Sequence, residues 1–323
     1  MSDTQQSFAK LRAYLNDEII GQERLIERML ITLLGGGHLI VQGAPGLAKT
    51  KAIKKLASAI ECDSHRIQFT PDLLPADITG SDIYRPETGM FVFQKGPIFH
   101  NLILADEINR APAKVQSALL EGMAERQVTV GATTYMLPEL FMVMAAQNPI
   151  EHEGTYALPE AQLDRFLMFV TIGHPDIESE RKILRLVRSE ARMGERPILE
   201  KITQKQVRQA KDEVQAVHLS PELEEYIVQF IMATRDPSAY SEKLKNFVEY
   251  GASPRGTLAL LRMTKASAFL SGRDYAMPED VAKVFTRTCA HRIRLSAKAR
   301  TEEKDEEAVL QMLLSQVKIP GAI

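Results

Sequence analysis

Apolar runs alternate with helical patterns over the first half of the chain. Short apolar runs, as in buried strands, lie at residues 39–41, 102–107, 141–148 and 167–172, and residues 65–69 (HRIQF) also read as a strand. Between them, apolar residues recur at helical spacing, for example over residues 113–126. Strands that alternate with helices are typical of a mostly parallel sheet covered on both faces. The pattern therefore predicts an α/β domain over residues 1–175.

Two segments inside this domain predict β-hairpins. In residues 82–95, the turn sequence RPETG separates two β-like runs, and in residues 127–138 the chain turns near Gly131-Ala132. Glycine-containing turns between such runs favour antiparallel pairs. We therefore expect two hairpins inserted into the α/β domain.

Beyond Asp176 the strand patterns give way to helices with clear capping residues. Thr203 and Gln206 form a capping box, and serine–proline pairs at residues 220–221 and 253–254 each place a hydroxyl before a helix. Residues 301–316 predict a last helix whose first half is solvated. The sequence therefore predicts a smaller, all-α second domain over residues 176–323.

Composition narrows the class of protein. Of the 323 residues, 45% are hydrophobic and 25% charged, which is ordinary for a globular protein, and the net charge of −2 gives no global field that attracts nucleic acid. The spacing of Cys62, Cys289 and the seven histidines matches no disulfide framework or metal-ligand motif. The chain starts without an apolar signal core and has no run near the ~20 apolar residues of a membrane span. We therefore expect a soluble, cytoplasmic protein with no membrane insertion.

The segment after the first strand predicts a phosphate-binding loop. It reads GAPGLAKT and consists of Gly43, Ala44, Pro45, Gly46, Leu47, Ala48, Lys49 and Thr50. In such a loop, backbone N–H groups face anionic oxygens, the lysine adds charge and the threonine can ligate Mg²⁺. The usual pattern has glycine where this chain has Ala48, and alanine fits there if its φ is negative. The alternative is an ordinary strand–turn–helix connection.

Two acids, Asp106 and Glu107, close the apolar run at 102–107. Because the carboxyl ends of parallel strands share one edge of a sheet, we expect both acids beside the loop. Asp106 can hold Mg²⁺ together with Thr50, and Glu107 can orient or deprotonate an attacking water. The alternative is that both acids merely end a strand in solvent.

Asn148 and Arg165 follow later strands and helices of the same domain. The amide of Asn148 can hydrogen-bond both a γ-phosphate and a water. Taken alone, an Asn in a turn before Pro149 is the better explanation of this pair of residues. Arg165 can stabilise charge on a transferring phosphoryl group, in some ring assemblies that of the neighbouring subunit. A salt bridge with Asp164 or Glu160 is the structural alternative.

Arg255 occupies about the second position of the helix that Ser253-Pro254 begins. The helix dipole disfavours a cation there, so an anion such as a γ-phosphate in front of the helix would explain the residue. A solvated surface arginine would also tolerate the position.

The chain contains, in this order, the segments GAPGLAKT, LILADEINRA, AAQNP, LPEAQLDRF and GASPRGTLALL. In order and spacing, these segments resemble the MoxR family of AAA+ ATPases, which are relatives of the magnesium chelatase ATPase subunit. The resemblance covers nearly the whole chain, and alanine before the lysine is usual in this family. It implies a P-loop fold with a helical lid, a Walker A motif at 43–50 and a Walker B motif at 102–107. It further implies that Asn148 is sensor 1, that Arg165 is an arginine finger acting across a subunit interface, and that Arg255 is sensor 2. Arg110 matches the family motif without an assigned role.

The resemblance also implies what the protein does. ATP and Mg²⁺ are the expected cofactors, and the expected assembly is a homo-oligomeric ring, a hexamer, that remodels, matures or activates a protein client by metal insertion or complex assembly. A partner with a von Willebrand factor A domain often accompanies such proteins. The hairpin at 82–95 matches the family's insertion in the second helix, and its Tyr84 and Phe91 are candidates for gripping a client, unless they pack on their own domain.

Two other functions stay open on the sequence. One is a DNA-dependent, helicase-like motor, against which stand the net charge of −2 and the lack of a recognisable DNA-binding domain. The other is an ATP-gated scaffold with little turnover, against which stand Glu107, Asn148 and Arg165. DNA-stimulated turnover would support the motor, and tight ATP binding with negligible turnover would support the scaffold.

Overall fold

The computed structural model describes residues 1–148, 156–193 and 200–319. Within these ranges the strands are β1 (Leu39–Gln42), β2 (Ser64–Gln68), β3 (Gly80–Arg85), β4 (Met90–Lys95), β5 (Leu102–Asp106), β6 (Gln127–Val130), β7 (Thr133–Met136), β8 (Met142–Gln147), β9 (Met168–Thr171), β10 (Val248–Tyr250) and β11 (Arg294–Leu295).

The helices of the described residues, apart from single 3₁₀ turns, are α1 (Asp3–Glu18), α2 (Glu23–Leu34), α3 (Lys49–Ala59), α4 (Pro75–Thr79), α5 (Ala113–Glu125), α6 (Glu160–Leu163), α7 (Ile177–Met193), α8 (Gln204–Ala216), α9 (Pro221–Arg235), α10 (Glu242–Lys245), α11 (Pro254–Leu270), α12 (Pro278–Cys289), α13 (Ala297–Thr301) and α14 (Glu306–Gln316). The segment LPEAQLDRF contains the four-residue helix α6.

The centre of the fold is a parallel sheet with the strand order β2-β5-β8-β1-β9. The register places Gln42 at the end of β1 opposite Gln147 and Thr171, and Gln68 at the end of β2 opposite Asp106. All five carboxyl ends therefore lie at one edge, as the sequence predicts for its candidate residues. This parallel sheet confirms the predicted α/β class.

Alternate residues of the strands enter two separate hydrophobic clusters. On one face, residues such as Leu39, Val41 and Met144 pack with the apolar sides of α1, α2 and α3, while on the other Ile40 and Val143 pack with α5. Burying each such side chain contributes about 1.5–3 kcal/mol. Because both faces are apolar, the strands read as continuous apolar runs in the sequence.

Both predicted hairpins are present. β3 pairs antiparallel with β4, and β6 pairs antiparallel with β7. The two hairpins contact each other through Phe93 and Tyr135, whose rings stack with centroids 4.0 Å apart. The two hairpins therefore pack against each other.

The second half of the chain is helical, with two differences from prediction. β10 and β11 form a two-stranded antiparallel sheet, so this half is not purely α; strands of two or three residues are too short for a periodic pattern to reveal them. The last helix begins only at Glu306, where the Asp305 carboxylate accepts a hydrogen bond from the Ala308 N–H. The start of the segment predicted to be helical is instead the last residue of α13 and a turn over residues 302–305.

Helices from both halves share one hydrophobic cluster. Leu30 of α2, Val207 of α8 and Met263 of α11 all belong to it. The predicted caps of this half are present, since Thr203 forms its capping box with Gln206 and the Ser253 hydroxyl caps α11. The division at residue 175 stays a prediction.

Both cysteines are free thiols. Within the described ranges, no helix combines the length and the hydropathy needed to cross a bilayer.

Candidate functional site

The loop between β1 and α3 bends tightly, and two of its residues have left-handed backbone conformations. Gly46 has φ +85° and Ala48 has φ +58°. The sequence-based expectation of a negative φ at Ala48 is therefore wrong. The loop must reverse direction immediately before α3, which demands this conformation, and an L-residue adopts it at a cost of about 1–2 kcal/mol. Such local strain is typical of ligand-binding loops.

Gly43 lies where the loop passes the end of β9. A Cβ atom there would lie 2.5 Å from Cγ1 and 2.8 Å from the carbonyl oxygen of Ile172, so a larger residue would displace backbone. Leu47 is buried, whereas Pro45 and Gly46 are exposed. The loop is therefore anchored at its base and open to solvent at its tip, as a phosphate cradle requires.

Lys49 is buried, with a relative exposure of 7%, and its Nζ donates a 2.8 Å hydrogen bond to the Gly43 carbonyl oxygen. Burial lowers the pKa of this ammonium, and the nearby carboxylates of Asp106 and Glu107 oppose that shift. The lysine of the loop and the two acids of β5 thus face one another. Thr50 follows in the first turn of α3 and is half-buried.

Asp106 is paired with an arginine that the sequence analysis did not identify. Arg66 of β2 donates to Oδ2 of Asp106 from Nε at 3.0 Å and from Nη2 at 2.7 Å. Among the described residues, the hydrogen bonds from Arg66 use Oδ2 alone and leave the other carboxylate oxygen, Oδ1, to a cation. Only the strand order reveals this pair, because β2 and β5 are neighbours in the sheet and distant in sequence.

Glu107 has φ +56° and accepts hydrogen bonds from three side chains. Its Oε2 accepts from Gln68 at 3.0 Å and from Arg110 at 2.9 Å, and its Oε1 accepts from the Asn148 amide at 3.2 Å. The hydrogen bond from Arg110, aided by that from Asn148, lowers the pKa of Glu107. The carboxylate is therefore ionised, and the second lone pair of Oε1 can accept a hydrogen bond from a water.

Asn148 therefore lies beside Glu107, as it must if both side chains contact the same attacking water. Its backbone carbonyl also accepts a 3.3 Å hydrogen bond from Asn109. Pro149, and with it the predicted Asn-Pro turn, lies outside the described residues.

Arg165 does not form the predicted alternative salt bridge. Its Nη1 donates to the Leu120 carbonyl of α5 at 2.6 Å, whereas Asp164 pairs with Arg292 and Glu160 with Arg294. Its Nε is buried without a hydrogen-bond partner among the described residues. The guanidinium therefore retains unused donors.

Arg255 lies beside the same turn. Its side chain is 60% exposed, and its Nη1 is 3.9 Å from Oδ2 of Asp164, which also accepts a 2.8 Å hydrogen bond from Ser253. Asp164 is thus an anion in front of α11, although the expected anion was a phosphate. Arg165 and Arg255 form a second group around Asp164, separate from the group of Lys49, Asp106, Glu107 and Asn148.

A further arginine, Arg292, holds this second group in place and was missed in the sequence. Its side chain is only 2% exposed, and it donates to the carboxylate of Asp164 and to the Phe166 carbonyl at 2.9 and 2.5 Å. His291 Nε2 lies 3.0 Å from the same carbonyl. The segment that follows α12 reads AHRIRL, and nothing in this mixed basic and apolar pattern indicates which arginine is buried.

The loop fits a Mg²⁺–nucleotide ligand. Asp106 Oδ1 and the Thr50 hydroxyl are oxygen donors, and Mg²⁺ usually takes one or two protein oxygens and completes its shell with water and phosphate. The described residues contain no cluster of three or more His, Cys, Asp or Glu side chains suited to a metal ion. The buried Lys49 and the positive φ of Ala48 complete a cradle for phosphate oxygens.

Comparison with known families agrees with this geometry. Residues 38–168 match the ATPase family associated with various cellular activities (AAA), and residues 244–313 match the AAA lid domain. Chaperone MoxR1 of Mycobacterium tuberculosis is 43% identical over 94% of this chain and 79% of its own length. Protein MoxR of Paracoccus denitrificans is 31% identical over 100% of this chain and 99% of its own length.

A crystal structure of a candidate ATPase from Cytophaga hutchinsonii has the same architecture. It superimposes with a TM-score of 0.90 at 43% identity, covering 98% of this chain and 96% of its own. The fold similarity thus extends over both the sheet and the helical half.

Proposed function

The chain belongs to the MoxR family of AAA+ ATPases and hydrolyses ATP, and from this premise we propose that each of its ATP sites is shared between two subunits of a ring. One subunit supplies the group of Lys49, Thr50, Asp106, Glu107 and Asn148. The neighbouring subunit supplies the group of Arg165 and Arg255.

The observation that carries this proposal is the common anchor of the two arginines. Both lie beside the Asp164 turn, which Arg292 fixes through the Asp164 carboxylate and the Phe166 carbonyl. We therefore assign both arginines to the same neighbouring site. Arg165 has a buried Nε without a hydrogen-bond partner in the described part of the chain, and Arg255 is largely solvent-exposed, so both have donors to offer to a phosphate.

In the proposed site, the loop N–H groups and Lys49 bind the phosphates, and Thr50 and Asp106 hold Mg²⁺. Bound Mg²⁺ would neutralise charge on the phosphate oxygens. Glu107 accepts a hydrogen bond from the attacking water and orients it, with Asn148 fixing the Glu107 carboxylate. Arg165 and Arg255 stabilise the negative charge that develops on the transferred phosphoryl group.

Helix α7 supports a subunit contact near the loop. The Lys51 ammonium, one residue beyond Thr50, is 3.0 Å from the Glu190 carboxylate of α7. Along α7, Ile177, Leu184 and Val187 are all more than half exposed. Exposed apolar side chains on an amphipathic helix are typical of an interaction surface.

Apolar side chains are also exposed beside the second group. Tyr250 lies just before α11, and Leu258 lies one turn beyond Arg255. A head-to-tail contact between this surface and α7 of the next chain would bring the two groups together. Repetition of such a contact closes into a ring when the rotation permits, and the family resemblance implies six subunits.

The client of the ring is a protein, as for the MoxR chaperones. The first hairpin is the proposed client contact, because Tyr84, Met90 and Phe91 are all more than half exposed and Phe91 is 71% exposed. We further propose that the client is a complex under assembly or metal loading, and that a partner with a von Willebrand factor A domain takes part in its remodelling.

The dependence of ATP turnover on protein concentration tests the shared site. We expect turnover per subunit to rise steeply with concentration as rings form, since an isolated subunit lacks the cations of its neighbour. The Glu107→Gln variant, assayed in parallel, should stay at background and so excludes a contaminating ATPase. Turnover per wild-type subunit that stays constant on dilution, while the protein dissociates to monomers, would contradict the proposal.

A further inference from the structure

A second cavity lies at the opposite edge of the sheet from the phosphate loop. It has a volume of about 620 Å³ and is bordered by Gly35-Gly36, which precede β1, and by Leu140, which precedes β8. The phosphate loop follows the carboxyl end of β1, so the two sites lie at opposite ends of the parallel strands. Helices α8 and α11 form the remaining walls.

The cavity is strongly cationic, although the whole chain has a net charge of −2. Its two carboxylates are Glu139 and Asp212, and its five cationic side chains are Arg126, Arg208, Lys211, Arg262 and Lys265. Such an excess of positive charge in a concave site attracts anions.

Few of these cations are neutralised within the protein. Glu139 forms an ion pair with Arg208. Arg126 donates to the backbone carbonyls of Glu139 and Gly36, each at 3.1 Å, and these bonds fix its guanidinium at the cavity wall. Lys211 and Arg262 have no carboxylate partner among the described residues.

Lys211 shows the effect of this unbalanced charge. Burial, reinforced by the Arg126 guanidinium, lowers the pKa of Lys211 to about 8, and Glu139 only partly opposes the shift. Because its folded pKa is lower than its unfolded pKa and both exceed 7, the protonated lysine destabilises the fold at neutral pH. An anion in the cavity would remove this cost.

The size and lining of the cavity indicate the class of ligand. Its volume falls within the range of about 300–1,000 Å³ typical of small-molecule sites. The apolar side chains of Leu34, Leu140, Val207 and Val214 form part of its lining and suit a non-ionic moiety. We propose that this cavity binds a small ligand that carries several phosphate groups, on the scale of a nucleotide, independently of the phosphate loop.

Such a ligand would join the two halves of the chain. It would contact α8 and α11 on one side and the segments that precede β1 and β8 on the other. Arg262 and Lys265 lie on α11, which also carries Arg255 in its first turn. The bound ligand would therefore fix the position of the Arg255-bearing helix relative to the sheet, which makes the cavity a regulatory site.

Calorimetric titration with inorganic tripolyphosphate tests the proposal. The Lys49→Ala variant serves as background, so that the phosphate loop does not compete for the probe. We expect one tripolyphosphate to bind per chain, and the added substitution Lys211→Met to weaken that binding about tenfold or more. Lys205→Met is the matched control, because Lys205 lies on the same helix but outside the cavity lining, and it should leave the affinity within about twofold.

The variant with Lys211→Met should have a melting temperature no lower than that of the Lys49→Ala chain, since the substitution removes a destabilising charge. A normal melting curve would then show that weaker binding does not result from unfolding. Equal affinities of the Lys211→Met and Lys205→Met variants would overturn the proposal, as would the absence of tripolyphosphate binding in the Lys49→Ala background. Binding of poly-glutamate in place of tripolyphosphate would instead assign the cavity to an acidic protein segment.

Discussion

Glu107→Gln is expected to lower ATP turnover by about 10²–10⁴-fold while ATP still binds. Glutamine preserves the size of the side chain and can still accept a hydrogen bond at one atom. It removes the negative charge that orients and activates the water. The Lys49 loop is unchanged, so the phosphates keep their contacts and the ATP-bound state accumulates.

Single-turnover hydrolysis and equilibrium ATP binding, measured on the same preparation, check this expectation. Glu121→Gln is a matched control, because Glu121 is exposed on α5 and the same chemical change there should leave turnover unaffected. Normal turnover in the Glu107→Gln variant would remove Glu107 from its proposed role.

Lys49→Ala is expected to weaken ATP binding by about 100-fold, the effect of losing a charge-assisted contact to phosphate. The loss should not reflect unfolding. Burial lowers the pKa of Lys49, so at neutral pH its charged form is disfavoured in the folded chain, and a neutral side chain relieves that penalty.

Equilibrium binding of a fluorescent ATP analogue, together with a melting curve, measures both expectations. Lys54→Ala is the matched control, since Lys54 is an exposed lysine of the same helix. If the Lys49→Ala variant bound the analogue within about threefold of wild type, the loop would not be the phosphate site.

Local patterns were sufficient to predict the parallel sheet, both hairpins and the position of the acids. Continuous apolar runs and caps are short-range features, and the rule that parallel strands end at one edge then places Asp106, Glu107 and Asn148 together. The same reasoning could not find Arg66 or Gln68. Their contacts with Asp106 and Glu107 depend on β2 being the neighbour of β5, which no local pattern encodes.

Backbone conformation and tertiary contacts caused the other differences. Ala48 has a positive φ because the loop must reverse before α3, and this requirement outweighs the preference of alanine. The dipole argument for Arg255 called for an anion such as a phosphate in front of α11, whereas tertiary packing places the Asp164 carboxylate there from a distant segment. Arg292 was missed because an arginine in sequence gives no sign of complete burial.

The most direct test of the shared site is a mixing experiment with Lys49→Ala and Arg165→Ala subunits. Each variant alone should be nearly inactive, the first because it lacks the phosphate lysine and the second because it lacks the cation supplied to its neighbour. In a ring with shared sites, an Arg165→Ala subunit still has an intact loop, and an adjacent Lys49→Ala subunit can supply Arg165. Random mixing at equal amounts makes about a quarter of the contacts of this productive kind.

We therefore predict that the equal mixture recovers up to about a quarter of wild-type turnover. The control mixture of Lys49→Ala with Glu107→Gln should stay inactive, because both changes affect the same half of each site. Recovered turnover cannot come from misfolded chains, so it also shows that both variants fold and assemble. If the first mixture is no more active than the sum of its two components while mixed rings form, Arg165 does not act across the subunit interface.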